Sequence, residues 1–584
     1  MNSTHPNPQF ARTASINLNG QWSCRFDPGK SGAERKWEQS KGFETAINVP
    51  FCPESKLSGI GHTDFIECMW YHRRLSIPAE WRGQSILLHF GGVDYRCSIF
   101  VDGHKAGSHT GGASPFTIDI TPWAAAGSDH DLVIEVHDDQ RSNNQAFGKQ
   151  SPWYDSKACS YTRTTGIWST VYMECCNKFH LTRCRIVPDL DNGAFHFTPE
   201  YSTCVRNGKF KVIISAEGRE IVSRETIISP GASVSAELPS PRSWSPDSPF
   251  LYDMKFILYD AAGNVADEVY SYAGLRKFHI EDGRFYLNNS PIFLRMVLDQ
   301  GFYEDGLWTA PNDEALQNDI RLAMQAGFNG ARLHQKIFDP RYHYYADQMG
   351  FLTFGEFPDW GMGFWRHFTE QPCDVYLSFR DYFSQWREIL EIYMNHPSII
   401  GWTPFNETRS YRDLDEHRRI ISDIYRLTRE LDPTRPVCDS SGYTHYETDI
   451  WSIHHYTQDA ETLAEILAAE PVHAFEPETE LPFFNGQPLF VGEYGGVKFI
   501  PPGKLPWAGG SWGYGTKTTA EEALACIRSL TAAIVNSGSA GFCYTQLTDI
   551  EQEQNGIYNY DRTKKFPQKE LQSIFRQKPA WSKF

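Results

Sequence analysis

The run IIGWTPFNE at residues 399–407 and its counterpart PLFVGE at 488–493 decide how this chain folds. Each is apolar, rich in β-branched and aromatic residues, too short for a helix, and stops on a glutamate. A run apolar on both faces reads as a strand buried on both sides, as in a parallel sheet covered by helices. Working outward, six more strand candidates occur at 292–297, 330–334, 352–356, 437–440, 450–455 and 541–546. Segments with helical spacing separate them: 313–325, carrying Leu316, Ile320 and Met324, then 382–394, 414–431 and 520–536. Strand alternating with helix is the pattern of parallel βαβ units. Eight strands over about 290 residues is the count and size of a (β/α)8 barrel.

The chain before residue 280 has a different rhythm. In residues 1–180, SILLHF (85–90), CSIFV (97–101) and LVIEV (132–136) are short strands bounded by Gly, Asp and Pro, and Asp102-Gly103 is a hairpin turn signal. Strands at intervals of 8–12 residues suggest an antiparallel sandwich. A second all-β stretch covers 181–279, with strands at 209–216 and 251–259, and its length suits one immunoglobulin-like sandwich. The expected class is therefore multidomain β plus α/β, divided at 1–180, 181–279 and 280–584.

Composition removes some functions. The 584 residues hold 55 Lys and Arg against 72 Asp and Glu, a net charge of −17. Such a surface repels phosphate backbones and anionic lipid headgroups, so neither nucleic acid nor membrane is an expected partner. No apolar run approaches the roughly 18 residues of a membrane helix, and the first 22 residues lack the charged and apolar regions of a signal peptide. The 13 cysteines are scattered without any CxxC, which fits reduced thiols and a cytoplasmic location. An acceptor triplet for glycosylation, Asn406-Glu407-Thr408, lies at a strand end where a glycan would block the site. The 17 Trp fit aromatic sugar clefts, and equally the cores of sandwiches.

In (β/α)8 barrels chemistry sits at the C-terminal ends of the strands. That rim carries Asp299, His334, Glu356, Asp359, Asn406, Glu407, His454, His455, Tyr456, Glu493, Tyr494, Gln546 and Asp549. A buried strand ending in a carboxylate aims charge into the mouth, where desolvation is costly unless the charge is paired or used. Glu407 and Glu493 end the fourth and seventh candidates, on opposite sides of the mouth. Either one alone could cap a helix or pair with an arginine. Together, their long side chains can bring carboxyls to the roughly 5–5.5 Å that double displacement at an acetal requires. A metal site built from His334, His454, His455 and Asp549 is the competing reading. It lacks the H-x-H or HExxH spacing of such sites, and adjacent histidines on a strand face opposite ways. No G-x-S-x-G, G-x-G-x-x-G or P-loop occurs. No metal and no cofactor are expected.

Ordered blocks run along the whole chain: LNGQW (18–22), WYHRR (70–74), FGGVDYRCSIFVDG (90–103), TRTTGIWSTVYME (162–174), GLRKF (274–278), MQAGFNGARLH (324–334), ADQMGFLTFGEFP (346–358), NHPSIIGWTPFNE (395–407) and FVGEYGG (490–496). In that order they resemble the signatures of the family-2 glycoside hydrolases. The resemblance implies a jelly-roll sugar-binding domain, an immunoglobulin-like sandwich and a catalytic barrel. It implies a retaining exo-glycosidase with Glu407 as acid/base and Glu493 as nucleophile. Asn406 would hydrogen-bond the sugar 2-OH, Arg332 would hold Glu493 ionised, and His334 and Tyr456 match positions that contact the nucleophile or the sugar.

Further substrate-binding candidates are Asp299, Gln300 and Trp308 from the loop LDQGFYEDGLWTAPNDEA (298–315), with Glu356 and Gln546 from the rim. Family members that act on glucuronides grip the sugar carboxylate with an Asn-x-Lys motif. The comparable stretch here is Glu553-Gln554-Asn555-Gly556-Ile557-Tyr558, without the lysine, although Arg562, Lys564 and Lys565 follow. A β-galactoside is therefore the leading expectation. Uronides and furanosides (arabinofuranose, galactofuranose) are the alternatives, and a carbohydrate-binding stack without activity is a reading of a different class. The expected partner is a carbohydrate, with homo-oligomer formation left open.

Overall fold

A computed structural model describes residues 5–362, 375–408, 414–469, 484–508, 510–579 and 581. In the first sandwich a six-stranded antiparallel sheet runs in the spatial order Thr45–Val49, Gly20–Phe26, Cys68–Ser76, Asp129–His137, Arg96–Val101, His104–Thr110. It faces a four-stranded sheet ordered Ser15–Asn17, Val171–Cys176, Ser85–Phe90, Phe116–Asp119. Alternate residues of both, among them Trp22, Leu88, Ile99, Ile134 and Met173, fill the space between. The turn at Asp102-Gly103 has positive φ at both residues, as a tight hairpin requires. A second sandwich sets Leu181–Asp189, Ala194–Tyr201 and Val234–Glu237 against Arg219–Ile227, Lys209–Ala216, Tyr252–Tyr259 and Val265–Ala273. Phe197, Phe210 and Phe256 lie at its centre.

The barrel strands are parallel: β1 (Leu294–Asp299), β2 (Gly330–Leu333), β3 (Leu352–Glu356), β4 (Ile399–Thr403), β5 (Ser440–Ser441), β6 (Trp451–His454), β7 (Leu489–Gly495) and β8 (Gly541–Thr545). Seven pair in the order β4-β3-β2-β1-β8-β7-β6. β5 is shorter than the strand expected over 437–440. It pairs only with Phe405–Asn406, beyond the end of β4, and Val437 bridges Trp402. Asp439 interrupts it by taking the N–H groups of Ser440 and Tyr446 on its own carboxylate.

The helices are α1 (Asp313–Ala326), α2 (Pro340–Met349), α3 (Val375–Tyr393), α4 (Leu414–Leu431), α5 (Ala460–Ala468), α6 (Ala520–Asn536) and α7 (Gln568–Phe575). α1 begins where Asn312 accepts the Ala315 N–H and ends at Gly327, whose φ is +112°. α3 starts seven residues before the expected 382. Among the described residues no helix is long and apolar enough to cross a membrane, and the twelve described cysteines are all free.

The three parts are laced by the segment from His5 to Arg12. Arg12 binds Glu174 of the first sandwich at 2.8 Å and Asp267 of the second at 2.8 Å, while Gln9 donates to the backbone oxygens of Tyr272 and Asn395. All these charges are buried, so removing one partner would leave another uncompensated.

Candidate active site

β2 sets Arg332 at the centre of the barrel mouth with 1% of its surface exposed. Its Nε donates to Glu356 Oε2 at 2.5 Å, and its Nη1 donates to Glu493 Oε1 at 2.9 Å and to the Gly492 carbonyl at 3.1 Å. Its Nη2 reaches Asn406 Oδ1 and lies 3.1 Å from His334 Nδ1. One planar fork thus ties β2, β3, β4 and β7 together. His334 Nδ1 lies 2.8 Å from Glu356 Oε1.

Burial by itself pushes the Glu493 carboxyl up. The charges of His454, Arg332, His334 and Lys149 overcome this and hold it well below the usual range. Tyr456 donates its hydroxyl to Glu493 Oε2 and lies flat on Tyr514, with ring centroids 3.4 Å apart. Glu356 is likewise held down, at about 2, because Arg332 and His334 outweigh its desolvation.

Glu407 follows β4 with φ at +53°, a left-handed conformation uncommon for a side-chain-bearing residue and concentrated at functional sites. Its N–H is fixed by the Ser441 carbonyl at 2.7 Å. His454 Nδ1 lies 2.7 Å from Glu407 Oε1 and 3.6 Å from Glu493 Oε1, and its Nε2 lies 2.8 Å from the Ser441 hydroxyl. One oxygen of each carboxylate and one ring nitrogen of His454 all fall within 4.8 Å of one another. That separation is close to the roughly 5–5.5 Å between the carboxyls of a double-displacement pair. The roughly 6.5–9.5 Å of an inverting pair would leave room for a water.

Asn406 gives its oxygen to Arg332, while its Nδ2 is buried with no acceptor among the described residues. A buried amide N–H₂ left open at the mouth is a donor waiting for a ligand.

Glu407, Glu493, Asn406, Arg332, His334, Tyr456 and Glu356 are therefore brought into one network. His454, expected on the rim and weighed as a metal ligand but given no catalytic role, bridges the two glutamates. Of the two adjacent histidines it is the one facing inward. The set His334, His454, His455 and Asp549 is not assembled. Asp549 instead takes Lys565 Nζ at 2.5 Å and the Gly556 N–H.

The β1 loop departs from expectation. Trp308 is 3% exposed and packs edge-on against Trp168 of the first sandwich at 5.2 Å, not against the carboxylate pair. The loop folds that way because Thr309 donates its hydroxyl to the backbone oxygen of Trp168. Asp299 accepts the Gly301 N–H and is pushed to about 7 by burial and by Asp319. Gln300 and Gln546 belong to a closed ring. Gln300 Nε2 donates to Tyr161 Oη and Gln546 Oε1, and Gln546 donates to Asn555. Asn555 donates to Glu553, which accepts the Tyr161 hydroxyl at 2.5 Å. The ring pins the loop after β8 to the first sandwich.

That pinned segment brings in a residue the sequence reading missed. Lys149, from the first sandwich, is 6% exposed, and its ammonium lies 3.6 Å from the centroid of the Trp360 ring. Burial would lower its pKa. Cys159, Glu407, Glu493 and Glu553 raise it, so it stays charged. The cations noted after the missing Asn-x-Lys lysine are engaged or outside. Arg562 binds both oxygens of Asp319, Lys565 binds Asp549, and Lys564 is exposed.

Three models of one family match the chain in order: glycosyl hydrolases family 2, sugar binding domain, over residues 16–156; glycosyl hydrolases family 2 over 183–276; and glycosyl hydrolases family 2, TIM barrel domain, over 278–505. The chain belongs to glycosyl hydrolase family 2. A β-glucuronidase of Paenibacillus borealis is 23% identical over 74% of this chain and 74% of its own length. A β-galactosidase of Thermoanaerobacter pseudethanolicus is 24% identical over 74% of this chain, which spans only 54% of that protein. The crystal structure of Ruminococcus gnavus β-glucuronidase superimposes with a TM-score of 0.81 at 17% identity, covering 98% of each chain, which establishes the shared fold.

Proposed function

We propose that this chain is a retaining exo-glycosidase that removes a terminal β-linked uronic acid by double displacement. The observation that carries the mechanism is the approach of the Glu407 and Glu493 oxygens to within 4.8 Å. Glu493, ionised by its cationic neighbours, attacks the anomeric carbon while Glu407 gives its proton to the departing oxygen. In the second step Glu407, having given up its proton, takes one from a water whose oxygen bonds to the anomeric carbon as the ester to Glu493 breaks, so one pair serves both steps. The open Nδ2 of Asn406 suits a donor to the sugar 2-OH, a bond that strengthens as positive charge builds on the ring.

The β-galactoside expected from the missing Asn-x-Lys lysine gives way to the uronide reading for two reasons. β-Glucuronidases stand among its relatives across 74% of the chain, and a buried lysine, Lys149, sits over Trp360, whose indole N–H donates to the Asn406 carbonyl. The galactoside remains the second reading, supported by the Thermoanaerobacter relative.

The test is a panel of p-nitrophenyl β-glucuronide, β-galacturonide, β-galactoside and β-glucoside, with the first-formed anomer followed by NMR. Retention and a preference for the uronides are expected. Inversion would overturn the mechanism, and turnover of neutral sugars alone would overturn the substrate. E493Q should abolish turnover. E407A should keep the first step for aryl glycosides with good leaving groups and accumulate the glycosyl-enzyme.

A further inference from the structure

We propose that Lys149 is the specificity-determining residue that binds the carboxylate of the substrate's sugar. This rests on the uronide reading above and adds the group that would read the acid.

Several features of the structure point to it. Lys149 carries three N–H donors, yet among the described residues its ammonium makes no hydrogen bond and no ion pair. Its neighbour is the face of Trp360, 3.6 Å away, a contact that orients a cation without using its donors. Trp360 also donates its indole N–H to the Asn406 carbonyl at 3.2 Å, so the lysine stands beside the residue that precedes Glu407. Other long cationic side chains of the barrel are committed. Arg332 is saturated by Glu356, Glu493, Asn406 and Gly492, and Lys336 by the carbonyls of Gly301 and Trp308. A buried ammonium with open donors is costly unless a ligand or water completes it.

The backbone around Lys149 is held in place from several sides. The N–H groups of Phe147 and Gly148 both donate to the Trp360 carbonyl, at 2.8 and 3.2 Å. The Lys149 carbonyl accepts the Tyr161 N–H at 2.7 Å, and Gln150 donates to Asp94 at 2.7 Å. Gly148 has φ of +62°, and a Cβ there would stand 2.3 Å from the Gln335 carbonyl oxygen, so only glycine allows this approach. A rigidly held cation recognises its partner without a further ordering cost. The anion it fits is one carried by the substrate beside Asn406, to whose carbonyl Trp360 donates. A carboxylate carried on the sugar ring meets the requirement, and it would balance a positive charge already inside the mouth.

The experiment compares wild type, K149M and K149R on p-nitrophenyl β-glucuronide and on the neutral β-glucoside and β-galactoside, with melting temperatures to confirm folding. Loss of one charge-assisted contact should lower kcat/KM for the uronide about 10²-fold in K149M, chiefly through KM, and change neutral substrates less than about threefold. K149R should recover most of the uronide activity. An equal fall on all substrates would show that Lys149 acts through the two glutamates and would overturn the assignment, as would an unchanged uronide rate. Wild-type enzyme that turns over only neutral sugars would show that the uronide reading itself had failed, before any variant is made. If K149M does not fold, K149Q and the binding of glucuronate against glucose to E493Q by calorimetry decide the same question. Equal affinity for the acid and the neutral sugar would overturn the proposal.

Discussion

Replacing Arg332 with methionine should move the acid limb of the kcat/KM profile upward. The Arg332 Nη1 to Glu493 Oε1 distance is 2.9 Å, which places the charge centres near 4 Å. At the effective dielectric suited to protein sites that interaction is about 4 kcal/mol, or about 3 pH units at roughly 1.4 kcal/mol each. Removing a cation favours the protonated acid, so the sign is upward: the limb should rise by about 3 pH units, from well below the usual carboxylate range into that range. The assay is kcat/KM against pH with an aryl glycoside whose leaving group needs no proton. The limb's position is the readout and not the rate at its plateau, because Arg332 also orients Asn406. R332K keeps a positive charge and should move the limb much less.

Stability should follow the same logic. In wild type Glu356 titrates at about 2 in place of its ordinary 4.5, so its contribution is complete above about pH 4.5 and is lost as pH falls toward 2. In R332M two buried carboxylates lose their partner at a cost of about 3–5 kcal/mol. Acidification that protonates them should then narrow the gap to wild type. An R332M enzyme with an unshifted acid limb would refute the claim that this guanidinium keeps Glu493 ionised.

Asn406→Ser removes the open amide and should reduce kcat about 10²-fold, with little further loss on a 2-deoxy substrate; a full additional loss on that substrate would break the proposed contact. Tyr456→Phe removes the hydroxyl donated to Glu493 Oε2 and should raise the acid limb by less than R332M does, which the same pH profile reads. Gly148→Ala forces a side chain into a left-handed position 2.3 Å from a carbonyl and should cost about 2 kcal/mol in denaturant melts, with uronide turnover falling more than neutral turnover. Dialysis against EDTA should leave kcat unchanged; a loss restored by a divalent cation would mean that Glu407, His454 and Glu493 hold a metal.

The barrel and the pairing of its two glutamates were legible because the runs 399–407 and 488–493 are apolar and stop on a glutamate. A local pattern sufficed there. Arg332 and Asn406 were legible through the ordered blocks. His454 was not assigned a role, because periodicity says that one of two adjacent histidines faces inward without saying which. Trp308 misled, since a tryptophan in a rim loop suits a sugar and a domain junction equally, and the Thr309 bond to the Trp168 carbonyl joins residues 141 positions apart. Lys149 was invisible for the same reason. Nothing near it in sequence marks it, and its neighbours Trp360 and Glu553 lie far along the chain. β5 fell short of the strand expected over 437–440 because Asp439 takes backbone donors onto its carboxylate.

The segment from Phe147 to Tyr161 has a consequence for how such an enzyme can change. Bond-breaking residues come from the barrel, whereas the lysine assigned to reading the sugar is lent by another module. Mutational drift in the lender can alter what is cut without disturbing the cutting. An isolated barrel would keep its blades and lose its choice of material.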